Sequence, residues 1–135
     1  MDTLSGRRGK RTQLGAAAVE FALILPVMML VIGGIVDFGR AYFTQIQLTN
    51  AAREGARAAI VGGDGVARAT AAAGGLTNFS AIVPPPPCTP NTDVTATTQV
   101  TKFQWIVLGP IMGMFPGGSG ALPTTLESTA VMRCT

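Results

Sequence analysis

The stretch GAAAVEFALILPVMMLVIGGIVDFGRAYFTQIQLTNAAREGARAAIVG, Gly15 to Gly62, decides the fold of this chain. Its first part, Ala16 to Val36, is apolar except for Glu20. That run matches the roughly 20 residues a helix needs to cross a bilayer core. It exceeds the roughly 7–15 residues of a secretory signal core, and no small-x-small cleavage site closes it before Asp37. Pro26 removes one backbone donor inside the run, so a kink or a loosened turn is expected there. Beyond it, Phe38, Tyr42, Ile46, Thr49, Ala52, Ala56 and Ile60 recur every three or four residues, which is a helical stripe. Ala51, Gly55 and Ala59 form a second stripe of small residues at i, i+4 spacing, where another backbone can approach closely. Asp37 with Arg40, and Glu54 with Arg57, stand at i, i+3 and read as pairs on outer faces. Gly62-Gly63 is the stop signal. Two readings stay open: one continuous helix, or two helices broken near Gly33-Gly34 or Gly39.

Glu20 is costly where it stands, because a carboxylate in a membrane helix needs a partner. It follows Gly15 by five positions. Upstream lies the cluster Arg7, Arg8, Lys10 and Arg11, which reads as a topology signal holding that end in the cytoplasm. A cut after Gly15 would remove these four cations and Asp2, leaving equal numbers of basic and acidic side chains. The net charge of +3 therefore belongs to the leader. No basic patch with interleaved aromatics remains for nucleic acid.

Composition narrows the chemistry. With 135 residues there is room for one small domain. Histidine is absent, which removes the commonest general base and zinc ligand. No nucleophile-base pair, phosphate-binding glycine loop or carboxylate constellation is visible, so the chain reads as a non-enzyme without cofactor or metal. Cys88 and Cys134 form no CxxC pair. In an oxidising compartment they would form one structural disulfide, contributing about 3–4 kcal/mol on the chain-entropy model.

After the helix, a small head is expected. Asp64 is placed to cap a short alanine-rich helix ending at Gly74-Gly75. Pro84 to Pro87 is a stiff segment leading to Cys88. Asp93 to Leu108 reads as β, alternating through Val94, Ala96, Thr98 and Val100. It then changes phase to Phe103, Trp105 and Val107, a slip that implies a bulge or tight turn near Thr101-Lys102. Gly109 to Pro123 reads as a lid over the small core, with a partner-contact surface as the alternative. Leu126, Ser128, Ala130, Met132 and Cys134 alternate along a last strand. The expected fold is α+β and pilin-like: a basic leader (1–15), a transmembrane half-helix (16–36), its amphipathic continuation (37–62) and a small head with an antiparallel sheet (63–135).

The segment Gly15–Gly62 resembles the TadE-like family, minor pilin-like proteins (pseudopilins) of the tight-adherence (Flp) type IV pilus system. The glycine-AAAVEF stretch, the proline in the apolar run and LTNAAREGARAA (Leu48–Ala59) carry the resemblance. TAVMRC near the end is similar to the family's last strand. The resemblance implies cutting by a prepilin peptidase between Gly15 and Ala16, with Glu20 as the fifth mature residue and Phe21 as the aromatic that follows it. It further implies other pilin and pseudopilin subunits, an inner-membrane assembly platform and membrane lipid as partners. The head would then be extracytoplasmic, and the processed chain a part of the pilus. An unprocessed single-pass scaffold of the assembly platform is the alternative, and a membrane-tethered enzyme or binding domain is a further one.

Overall fold

The computed structural model describes residues 6–134, with side chains from Gly15 onward except that of Ser119. The cluster Arg7, Arg8, Lys10 and Arg11 thus lies outside the described side chains. One helix, α1 (Gly6–Ile60), dominates the molecule and runs through Pro26, Gly33-Gly34 and Gly39 without a break. At 1.5 Å per residue it is about 80 Å long. It stops at Gly62, whose φ of 79° suits glycine. The Gly63 N–H donates to the Ala58 carbonyl (2.8 Å) and the Gly62 N–H to the Ala59 carbonyl (3.2 Å). This is a Schellman closure, in which two otherwise orphaned carbonyls are satisfied by the turn.

Asp64 then starts α2 (Gly65–Ala72), its carboxylate accepting the Ala67 N–H at 3.0 Å. Gly74 and Gly75, both at positive φ, follow that helix. The chain enters a three-stranded antiparallel sheet in the order β1 (Phe79–Ile82), β2 (Asp93–Val100), β3 (Leu126–Arg133). Strand β1 is a structural finding with no counterpart in the sequence reading. Between β2 and β3 lies α3 (Leu108–Gly113), followed by a 3₁₀ turn at Gly118–Gly120.

The strand expected from Asp93 to Leu108 ends at Val100. Lys102 adopts φ 59°, a left-handed turn that breaks the ladder. The alternation of Phe103, Trp105 and Val107 belongs to a loop. Strands β2 and β3 alternate as their residues require: Val94, Ala96, Thr98 and Val100 point inward, and Leu126, Ser128, Ala130 and Met132 share the half-buried face.

That face packs on the second half of α1. Leu48, Ala51, Ala52, Ala56 and Ala59 are buried there together with Val94, Val100 and Cys134. Thr98 is fully buried, and its hydroxyl donates to the Leu48 carbonyl at 2.8 Å, tying sheet to helix. Gln45 reaches the Glu127 carbonyl (2.7 Å), and Thr49 pairs with Ser128 (3.0 Å). The buried line on α1 is Gly33, Asp37, Thr44, Leu48 and onward, not the stripe through Phe38 and Tyr42, which are exposed. Cys88 and Cys134 are joined, with Cα atoms 6.1 Å apart. The bridge clips the entry to β2 onto the end of β3, where the Cys134 N–H also donates to the Thr92 carbonyl (2.8 Å).

Candidate functional site

Asp37 is where the head grips the apolar half of α1. It is the first residue after the run Ala16–Val36, and it is fully buried. One carboxylate oxygen accepts the Ile106 N–H at 3.0 Å; the other accepts those of Val107 (2.9 Å) and Leu108 (2.8 Å). Leu108 is the first residue of α3 and the other two donors lead directly into it; the helix's own N-cap position, Val107, offers no side-chain acceptor. A helix start leaves its first amides unpaired, and a carboxylate brought from elsewhere satisfies them. Burial by itself would raise the Asp37 carboxyl. The three backbone donors, with Arg40 beside it, hold the carboxyl below its ordinary value.

Arg40 does more than pair with Asp37, which it meets at 3.9 Å. It donates to the Gln104 carbonyl at 3.3 Å, and its guanidinium lies 5.6 Å from the Phe103 ring centre. Trp105 stands edge-on to both Phe38 (5.6 Å) and Phe103 (5.2 Å). Its indole N–H donates to the Pro123 carbonyl at 2.8 Å. Below this aromatic cluster Val107 sits directly on Gly33, where any Cβ would collide with it. Of the segment expected to cover the core, α3 packs against α1 instead. Helix α3 has no buried residue, and Met114 and Phe115 are 83% and 61% exposed.

The pairings read on outer faces are thus revised. Asp37 is an interior anchor, and Glu54 bonds Arg68 of α2 at 3.2 Å rather than Arg57. The small stripe receives α2 of the same chain. A Cβ on Gly55 would stand 3.1 Å from the Ala69 Cβ, 3.1 Å from the Gly65 carbonyl oxygen and 3.2 Å from Val83. Ala51 and Ala59 are buried beside it.

The other half of α1 is bare. From Gly15 to Ile32 every residue is exposed, Ala16, Glu20 and Phe21 included. Among the described residues Glu20 has no ion-pair partner. This helix is long and apolar enough to cross a membrane. Also among the described residues, no three His, Cys, Asp or Glu side chains come together to hold a metal ion.

Residues 15–57 match the family model described as TadE-like protein. No curated protein and no solved structure matches the chain. The matched segment lies within α1. It contains the bare apolar half, Asp37 and the first two members of the small stripe, and it stops short of the head. The match links the chain to the Tad pilus system, whose TadE-like members are structural components, and the bare helix is compatible with anchoring in a membrane.

Asp37 was the functional residue least visible in the sequence. A carboxylate directly beside an apolar run, and a glycine-rich segment with no capping side chain, were the two signals that belonged together.

Proposed function

We propose that the chain is a minor pilin-like subunit of the Tad pilus, cut by a prepilin peptidase between Gly15 and Ala16. Residues 1–15 act as leader, 16–36 as the span, 37–62 as the stalk of the helix and 63–135 as an extracytoplasmic head. The observation that carries this reading is the bare half of α1. It is an apolar rod with one carboxylate and no cover from the described residues of its own chain, on the segment that matches the family. Such a rod needs lipid or other rods around it.

Cutting would create an α-amine at Ala16, mostly protonated at neutral pH. Glu20 lies one helical turn further on. In a bundle of neighbouring rods, the amine of one subunit and Glu20 of the next satisfy each other. Their attraction is offset by desolvation, so the pair acts chiefly on register: a misplaced subunit leaves a charge alone in low dielectric. The amine of the same chain competes for Glu20. The other partners follow from this reading: pilin and pseudopilin subunits, the inner-membrane assembly platform and membrane lipid. Tip, initiation or shaft placement would all use the same rod.

One observation favours the alternative of a permanent single-pass scaffold. Helix α1 continues through Gly15 and Ala16, so a peptidase must unwind it locally. Glycine lowers that cost by about 1 kcal/mol relative to alanine. Sequencing the N-terminus of the chain from sheared pili and from membranes separates the two. Ala16 as the first residue supports processing; an intact Met1 in functional material supports the scaffold.

A further inference from the structure

We propose that residues 103–125, the loop built around α3, form a foot that lies in the membrane interface beside α1. Ile106, Met114 and Phe115 would sit at the acyl boundary, with Arg40 and Lys102 at the headgroup phosphates. This rests on the reading of α1 as a membrane span.

Depth is the first argument. Val107 packs on Gly33, which is inside the apolar run and about 5 Å short of its end at Val36. A helix lying in an interface buries its apolar side about 5–10 Å into the headgroup and acyl boundary. The head therefore reaches down to where such a segment would lie. Asp37, which anchors α3, stands at the end of the run with its charge enclosed by three N–H donors.

Composition is the second argument. No charged residue occurs from Phe103 to Leu126. Ile106, Met114 and Phe115 are 58%, 83% and 61% exposed, and nothing among the described residues covers them. Cations bound the segment on its upper side, since Arg40 and Lys102 line one groove together with Phe103. Exposed Tyr42 and Phe43 on α1 and half-exposed Trp105 complete an aromatic girdle of the kind found at membrane surfaces. Glu127 lies away from this edge: Gln45, which bonds its carbonyl, is about 12 Å further along α1 than Asp37.

Trp105 is the single tryptophan, which makes the test direct. The full chain is reconstituted in phosphatidylglycerol–phosphatidylethanolamine vesicles whose acyl chains are brominated near the glycerol or near the methyl end. Two proteins are compared, the wild type and the double variant Trp105→Phe/Phe115→Trp, which moves the probe onto the foot. Flotation with the vesicles reports insertion of α1, and an intact Cys88–Cys134 bridge reports the fold. The proposal expects the probe at 115 to lose at least half its emission to shallow bromines and clearly less to deep ones. Trp105 in the wild type would follow the same order. Floating protein whose tryptophans are unquenched in both forms overturns the foot and leaves the membrane span intact. Quenching that disappears as protein density rises assigns the surface to a second copy and also overturns it. Failure to float refutes the span itself, and the foot with it.

Discussion

A carboxylate one position beyond an apolar run has two ways to be satisfied: water, or donors brought to it. Asp37 takes the second, and the donors come from a segment about seventy residues away. Replacing it with Asn keeps the shape but removes the charge and turns one acceptor oxygen into an NH₂ group facing backbone N–H groups. Leaving buried donors unpaired costs about 1–3 kcal/mol. Asp37→Asn should therefore release α3, and hydrogen exchange at Ile106, Val107 and Leu108 should rise by one to two orders of magnitude while the β2 and β3 amides stay protected. The pH dependence has a definite sign. The folded carboxyl lies below its ordinary value of 3.8, so its contribution is complete above that value and fades as pH falls through the lower, folded one. Protection of those three amides should hold from neutral pH down to about pH 4 and be lost only in stronger acid. Loss near pH 6 would contradict the anchor. In the sequence Asp37 and Arg40 look like a surface pair, because i, i+3 spacing describes one helix and is silent about a loop arriving from elsewhere.

Elements with a strong local signal were legible. The periodicity of α1, the Gly62 stop, the Asp64 cap and the alternation of β2 and β3 are all contained in a few neighbouring residues. Strand β1 was not. Phe79–Ile82 is four residues long, half-covered, and exists because Val100, Gln99, Thr98 and Thr97 pair with it. Helix α3 was hidden for a similar reason: glycine and proline surround it, and its first amides are capped by α1. The small stripe could be read as a close-approach surface, though its occupant could not. Gly55→Leu tests the observed occupant. The Ala69 Cβ and the Gly65 carbonyl oxygen already stand 3.1 Å from a Cβ there, so α2 must move away. Overpacking of this kind costs about 1–3 kcal/mol, which thermal unfolding of detergent-solubilised protein would register as a lower midpoint. Gly39→Leu, where a Cβ meets nothing, should leave that midpoint nearly unchanged. The clip between β2 and β3 has its own expected size. Replacing Cys88 and Cys134 together by Ser should cost about 2–4 kcal/mol. Denaturant unfolding under oxidising and reducing conditions should show the wild type converging on that variant only when reduced.

At the scale of the whole molecule the chain divides its surface unevenly. The distal half of α1 has one face covered by two helices and a sheet, while in the proximal half the described residues Gly15 to Ile32 stand uncovered. That division separates two jobs that a substitution at Glu20 can pull apart. For the solitary chain in lipid, the carboxylate is a burden, bounded above by the about 2.5–3.5 kcal/mol that insertion scales give a charge at a helix centre. In a bundle of rods it has a purpose only if a positive group arrives beside it. Glu20→Ala should therefore have opposite effects on the two steps: membrane insertion as good as or better than wild type, and recovery in sheared pili reduced severalfold. Gly15→Leu supplies the companion measurement. It leaves Glu20 in place but should block the proposed cut, so that no α-amine forms at Ala16 and the chain stays in the membrane fraction with its leader attached. If both variants assemble like wild type, the pairing of amine and carboxylate is wrong, whatever the helix does in lipid. If Glu20→Ala alone assembles normally while Gly15→Leu is stranded, cutting matters for release from the membrane, and register is set by the packing of the bare rods themselves.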